Sequence, residues 1–525
     1  MIFQYQHSPT AVNRIIHVGN NSGRLQLVKI QEIIRKAVSR RSSSQPNSAS
    51  DFAIAQLGKE KRQQLRRDWN VKGMQPAQRA GAERAIRARV REYLKPLRKE
   101  DRRLTADEQI IILRGIRKSK ILDRIYPKRL KPGKWLKLTE RDTSKAISEI
   151  EIENFSFLFD PKGTIAGLQK IAEAEATAPG AKIHFVDPYC FDVAPFMLLA
   201  ECWNEMLPIF EGGKMSLPMQ KVIAAVGVQH AMGIGLRGVN EFSDVWAFPL
   251  ARRRGAGSTA SSSPFLDVQS REAASDEFCD ALNGWLREAE NSVCLTQRGI
   301  GKIKNLLGEL LENAERHSDG ERRDGSWSVS GFMARRYDEE ADEWVYRAHF
   351  GIISIGDTFS KSLDRALPDL RDSLNAYVTK MKRKGARQSA KTLRTLAALQ
   401  DGVTCVAEAD ADCRGGFGLQ EMLELVSILG ETSRQDRRPR VTIISGASCI
   451  RLRDPYLRGR QMSPDDATRV LWCNRSNSND ELPEDAFVFD LEPGLPGTVI
   501  SVGFVLDPDY LKAATSDGDE GNERN

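Results

Sequence analysis

The segment GKIKNLLGELLENAERHSDG, Gly301 to Gly320, constrains this chain more than any other. At 100° per residue, Ile303, Leu306, Leu307, Leu310, Leu311 and Ala314 fall on one side, and Glu309, Glu312, Asn313 and Arg316 on the other. This is a well-formed amphipathic helix whose apolar stripe needs a surface to pack on. Glu309 and Asn313 lie one turn apart and about 40° from each other around the axis, so both side chains reach the same small volume. Asparagine is a mediocre helix former, and in mid-helix it needs either a solvated position or a job. Taken alone, the segment reads as a packed surface helix.

Two later segments change that reading. The first, His349-Phe-Gly-Ile-Ile-Ser-Ile-Gly-Asp357, is an apolar run of strand type that ends in an aspartate where a loop begins. A carboxylate at a strand end either terminates the strand or accepts a hydrogen bond from an exocyclic amine such as that of a purine. The second, Arg414-Gly-Gly-Phe-Gly-Leu-Gln-Glu-Met422, leads into apolar positions Leu419, Met422, Leu423, Val426 and Leu429 at helical spacing. Gly415, Gly416 and Gly418 free the backbone to approach a ligand. The helix starting near Leu419 then offers unpaired N–H groups and a positive dipole end to phosphates, or is simply capped there.

In this order the three segments resemble the GHKL (gyrase, histidine kinase, MutL) ATPases, whose asparagine box reads E-x-x-x-N-A-x-x-H, here Glu309, Asn313, Ala314 and His317. The resemblance runs from about residue 285 to residue 510. It takes in Asp357, the G-x-G-L turn of Gly416, Gly418 and Leu419, and the late strands Val441 to Gly446 and Gly497 to Leu506. It implies ATP and Mg²⁺ as cofactors, with Asn313 as the metal-site residue, Asp357 on the adenine amine, and Gly415, Gly416 and Gly418 around the phosphates. Arg316 or His317 would touch the phosphates too. Mg²⁺ keeps several waters and wants only one or two protein oxygens, which one carboxamide can supply. By the same resemblance Glu309 stands where hydrolytic members place the base that activates water, which favours hydrolysis. The family's D-x-G-x-G string departs here to Asp357-Thr-Phe-Ser-Lys-Ser362. Phe359 and Lys361 either crowd the base pocket, or Lys361 supplies a phosphate contact of its own. The region Ser362 to Asp412 corresponds to the mobile lid.

At 525 residues the chain exceeds one hydrophobic core and suggests about three units. The expected fold class is multi-domain α/β and α+β: a C-terminal GHKL α/β sandwich (265–510), a central small α/β domain (151–253) and a basic, helix-rich N-terminal region (1–150). Residues 254–264 read as a linker and 511–525 as a disordered acidic tail. The central unit shows strand-like runs at Phe155 to Phe159, Ile183 to Val186 and Val245 to Leu250, alternating with helical ones, and looks STAS-like. Asp187, after a strand, is either turn chemistry or a site residue.

Charge is uneven: residues 1 to 145 hold 35 Lys/Arg against 13 Asp/Glu, a net of +22, whereas the remainder is acidic. Arg84, Arg87, Arg91 and Lys95 share one helix face, which is either solvated or phosphate-binding. No apolar stretch of about 18 residues and no secretory signal occur, so a cytoplasmic protein without membrane contact is expected. The eight cysteines show no metal spacing. Gly299-Ile-Gly-Lys302 lacks the hydroxyl residue and leading glycine of a phosphate loop, and no H-E-x-x-H or G-x-S-x-G string is present.

Phe265 to Gln297 contains no histidine, which argues against a sensor kinase with its phosphoacceptor just ahead of the ATPase domain. The preferred reading is an ATP-dependent conformational switch acting on a nucleic-acid or protein partner, working as a homodimer as GHKL proteins commonly do. An anti-sigma-type serine kinase and a non-hydrolysing regulatory scaffold are the alternatives.

Overall fold

The computed structural model describes residues 3–5, 49–99, 113–115, 118–129, 135–137, 148–178, 181–203, 206, 210–232, 234–236, 239, 242–253, 269–319, 325–401, 403, 418–463 and 466–512. The linker 254–264, the tail from 513 onward, Gly415 and Gly416 lie outside them.

After a short strand β1 (Phe3–Tyr5), two basic helices, α1 (Ala49–Asp68) and α2 (Pro76–Lys99), form a hairpin. Its small core is Val71, Ala82, Ile86, Val90 and Leu94. An Arg66–Glu83 bridge at 2.8 Å and the Arg89 guanidinium over the Trp69 ring tie the two helices together. Arg84, Arg87 and Arg91 are exposed, as their shared face requires, while the Lys95 side chain lies outside the described residues. Strand β2 (Leu113–Gly115) pairs with β3 (Trp135–Lys137), and α3 (Lys120–Ile125) lies between them in sequence. Beyond α3, the buried Arg129 is bridged to Asp123 and, at 3.0 Å, to Glu175.

The central unit runs β4 (Ser148–Ile152), α4 (Pro161–Thr177), β5 (Ala181–Phe185), α5 (Ala194–Trp203), β6 (Phe210–Lys214), α6 (Leu217–Ala225) and α7 (Val228–Met232). Its three strands are parallel, in the order β4-β5-β6. The run Phe155 to Phe159, expected as a strand, is instead a loop, buried as far as Leu158. Its backbone N–H groups are taken by side-chain oxygens rather than by a neighbouring strand: Phe155 donates to Asp187 at 2.9 Å, as does the preceding Asn154 at 2.7 Å, Phe157 to Asp192 at 2.8 Å, Ser156 to the Thr164 hydroxyl at 2.9 Å and Leu158 to the Ser156 hydroxyl at 3.2 Å. Asp187 therefore holds a loop, the plain turn chemistry of the two readings.

Strand β7 (Val245–Arg253) leaves this unit. It is the edge of a seven-stranded antiparallel sheet built with β9 (Trp327–Asp338), β10 (Glu343–Ser354), β11 (Arg440–Ser445), β12 (Ser448–Leu452), β15 (Val488–Asp490) and β16 (Thr498–Leu506). The order is β15-β12-β11-β16-β10-β9-β7. Reading Val245 to Leu250 with the preceding βα alternation placed it in the wrong sheet, because strand character does not name a partner. Strand β8 (Val293–Leu295) pairs with β1, and β13 (Arg460–Ser463) with β14 (Asp466–Val470).

One face of the sheet carries α8 (Arg271–Ala289), α9 (Gln297–Ser318) and α13 (Gly418–Leu429). Phe278, Trp285, Leu307, Leu311, Met422 and Val426 meet Val329, Phe350, Ile443 and Val502 in this layer. Each such side chain contributes roughly 1.5–3 kcal/mol by leaving water. The opposite face is covered by the central unit, with Phe332, Ile353, Ile444 and Val499 packed among Phe196, Met197 and Leu198. Buried hydrogen bonds cross this second contact: Ser328 donates to Glu201 at 2.6 Å and Ser501 to Asp192 at 2.7 Å.

The region expected as a lid is largely helical and docked up to residue 401. After a turn α10 (Phe359–Ser362), helices α11 (Pro368–Arg383) and α12 (Ala390–Ala397) share a core of Leu374, Met381 and Leu393. Ser389 and Thr392 fasten α12 to Asp490 at 2.6 Å each. Leu511, assigned by composition to the acidic tail, is fully buried. No described helix is long and apolar enough to cross a membrane.

Candidate functional site

Helix α9 begins at Thr296, whose hydroxyl accepts from the Gly299 N–H at 3.0 Å. Ile303, Leu306, Leu307 and Leu311 are buried under it, while Leu310, Asn313, Ala314, His317 and Ser318 border a cavity of about 150 Å³. A space of that order accepts an aromatic ring. Its floor is Ile352, Ser354, Thr498 and Ile500 on the central strands, and its walls are Asp357, Thr358 and Phe359 on one side and Leu399, Gly418 and Leu419 on another. Residues from five separate stretches of chain therefore meet around one small, mostly apolar space.

The strand end is positioned tightly. The Asp357 N–H donates to the Ser318 carbonyl at 2.9 Å, which fastens it to the last turn of α9. A side chain at Gly356 would lie 2.0 Å from that same carbonyl, so only glycine fits beside it. Where the family string has glycines, Thr358 instead caps a helical turn by accepting from the Lys361 N–H at 3.3 Å, and the Phe359 N–H donates to Ser445 at 2.9 Å. Phe359 lines the cavity, and Lys361 turns outward onto Asp357.

Asp357 is 15 % exposed and holds two cations, Lys361 Nζ at 2.6 Å on one oxygen and Arg365 Nη1 at 2.7 Å on the other. Burial works against its charge, but the hydrogen bonds from Lys361 and Arg365 prevail and hold the carboxyl below the usual range. A carboxylate offers about four acceptor positions, so two remain for a further donor. Arg365 also donates to the His317 carbonyl at 3.3 Å, strapping the strand end to α9.

Glu309 does not border this cavity. One turn before Asn313, it lies in the adjoining grooves with Glu421 on one side and Glu312 on the other. A side chain at Gly418 would come within 2.8 Å of Glu309 Oε2, so a residue exposed as a whole keeps its carboxyl against the first turn of α13. Burial, then Glu421 and Glu312, push its pKa upward. The shared volume expected for Glu309 and Asn313 is thus two neighbouring volumes, separated by the approach of α13. Arg316 is bridged to Glu312, away from the cavity.

Three contributors carried no sequence signal. Arg365 follows Asp357 by eight residues in no motif. Thr498 lines the cavity and is bonded at 2.9 Å to Ser445, the residue that holds the Phe359 N–H, and only the pairing of β16 with β11 brings the two together.

Asn313 presents a carboxamide that makes no hydrogen bond among the described residues, and no group of three or more His, Cys, Asp or Glu there could cage a metal. No family model matches the chain, and comparison with curated proteins and with solved structures returned no match.

Proposed function

We propose that this chain is an ATP-binding protein of GHKL type whose C-terminal unit is the family's α/β sandwich. The observation that carries the reading is that Asn313, Asp357 and the Gly418–Leu419 helix start, 44 or more residues apart in sequence, border one cavity between α9 and the sheet. The adenine ring occupies that cavity, with its amine on an acceptor position of Asp357 not used by Lys361 or Arg365. Asn313 would hold Mg²⁺, and the N–H groups opening α13 would meet the phosphates. ATP with its Mg²⁺ supplies a hydrolysable phosphoanhydride. Glu309, with its raised pKa beside Gly418, is the base that orients and deprotonates water.

Binding reorients the basic N-terminal hairpin toward a polyanionic or protein partner. The exposed Arg84, Arg87 and Arg91 of α2 support the polyanion. A second reading, a scaffold that has lost ATP, draws support from the double ion pair on Asp357, which a nucleotide has to share.

One experiment separates the two: the melting temperature of the protein with and without Mg-ATP, for wild type, Asn313→Ala and Asp357→Ala. Ligand at 100 times its dissociation constant adds about 2.7 kcal/mol, or about 5–10 °C for a folding unit of this size. A shift in wild type that both variants lose supports the ATP site. No shift in wild type leaves the scaffold.

A further inference from the structure

The face of the sheet turned toward the central unit ends in a group of arginines that the cavity does not use. Residues opposite each other in register share a face, and side chains alternate along each strand. By these rules Arg336 on β9, Arg347 on β10, Arg440 on β11 and Arg451 on β12 project to the side that buries Phe332, Ile444 and Cys449, and Arg453, just past β12, lies close enough to Arg440 and Arg451 to repel both. They run diagonally across five adjacent strands, about 19 Å at a strand spacing of about 4.8 Å. Facing them are the loops after β4 and β5, at the carboxyl ends of the parallel strands, where open α/β sheets bind ligands.

Carboxylates do not balance this group. Among the described residues only Arg347 has an acidic partner, Asp338 at 3.8 Å, and Asp338 is itself bonded to Arg437 at 2.7 Å. Arg336 is 7 % exposed; one of its nitrogens reaches the Cys190 carbonyl at 2.5 Å, and Nη1 is buried with no hydrogen-bond partner. Arg451 reaches only the carbonyls of Leu158 and Phe159, at 3.4 Å each, and Arg440 only the Asp436 carbonyl, at 3.3 Å. The guanidinium groups lie over rings: Arg336 over Tyr189 at 4.5 Å, Arg440 over Phe159 at 4.7 Å, and Arg453 over Phe487 at 5.5 Å. The nearby acids are Asp338, Asp436, Asp244 and Asp160, the last engaged in capping α4. Burial lowers the pKa of Arg440, and the charges of Arg453, Arg451 and Arg347 lower it further; Arg336 falls to about 10 because burial, helped by Arg347, outweighs the opposing effect of Cys190.

We propose that this seam is a second ligand site and that it takes a linked phosphate chain. Half-buried guanidinium groups that repel one another and lack counter-charges gain most from a ligand carrying several negative charges. Their planar forks match phosphate oxygens in pairs. The diagonal is too long for a single carboxylate or phosphate and suits a chain of phosphates laid across the strands. Phe159, 40 % exposed, stands at its edge and offers a ring for a base attached to that chain.

The test is calorimetric titration of the full chain with sodium tripolyphosphate at low salt and without Mg²⁺. Wild type, Asn313→Ala and the double variant Arg440→Gln/Arg453→Gln are compared, with ATP and a twelve-residue oligothymidylate as further ligands. Tripolyphosphate binds wild type and Asn313→Ala alike, and the double variant binds about tenfold or more weakly. ATP bound by Asn313→Ala without Mg²⁺ identifies a nucleotide as the source of the chain; tripolyphosphate alone identifies inorganic polyphosphate. The proposal is overturned by no binding to wild type, by equal binding to the double variant, or by oligothymidylate binding tighter than tripolyphosphate and being lost in that variant. The unliganded melting temperature checks the fold. Arg453→Gln keeps or raises it by removing repulsion, whereas a purely structural arginine–ring contact lowers it.

Discussion

Asp192 joins the two halves of the molecule, and replacing it has a cost that can be worked from its contacts. It is fully buried, and its oxygens accept from the N–H groups of Phe157 and Ala194, at 2.8 and 2.9 Å, and from the Ser501 hydroxyl of the sheet at 2.7 Å. Asp192→Ala strands three buried donors, and at about 1–3 kcal/mol for each the loss is at least about 3 kcal/mol. Asp192→Asn keeps one oxygen, sets its NH₂ against the Phe157 N–H, and costs about 1–3 kcal/mol. Burial also raises the Asp192 pKa to about 6 from an ordinary 3.8, against the hydrogen bonds that favour its charge. The folded state therefore keeps its proton to higher pH than the unfolded chain does. That contribution to stability is complete below the unfolded pKa and is lost as pH rises through the folded one, about 3 kcal/mol in all and about half of it between pH 5 and 7. Urea unfolding of wild type and Asp192→Asn across this range is the assay, because the asparagine does not titrate. Wild type exceeds the variant by most at about pH 5, and the gap narrows by about 1 kcal/mol toward pH 7. A gap that does not change with pH, or an alanine variant that loses under about 1 kcal/mol, refutes the reasoning.

Two further predictions concern the cavity and its neighbour. Glu309→Gln, which removes the base without touching the cavity walls, keeps the Mg-ATP melting shift while phosphate release falls by about 100-fold or more; loss of the shift instead would make Glu309 part of the binding surface. Arg365→Ala frees one oxygen of Asp357, so the carboxyl titrates closer to its ordinary value and ATP binds more tightly. Weaker binding would mean that the strap from Arg365 to the His317 carbonyl shapes the site, and calorimetry together with carboxyl titration by NMR distinguishes the outcomes.

Much of this protein was legible from local pattern. The stripe of α9 follows from side chains spaced at 3.6 residues, and Ile303, Leu306, Leu307 and Leu311 are buried as that spacing requires. The strand that leads to Asp357, which stops at Ser354 and leaves the aspartate three residues on in the loop, and the helix starting beside Leu419 are equally local, since both rest on apolar periodicity broken by glycine. Partnership is not local. The residues of β7 announce a strand but not its sheet, because pairing depends on which edge is free once the chain has collapsed. Phe155 to Phe159 has strand composition yet is a loop, because Asp187 and Asp192, some 30 residues on, supply better acceptors than a neighbouring strand. Tertiary structure alone turned Asn313 into the cavity and Glu309 out of it, since the close approach of α13 at Gly418 divides one helix face in two. It alone gathered four arginines from strands up to 115 residues apart in sequence onto one diagonal, because a sheet orders side chains by register and face, which no spacing along the chain records.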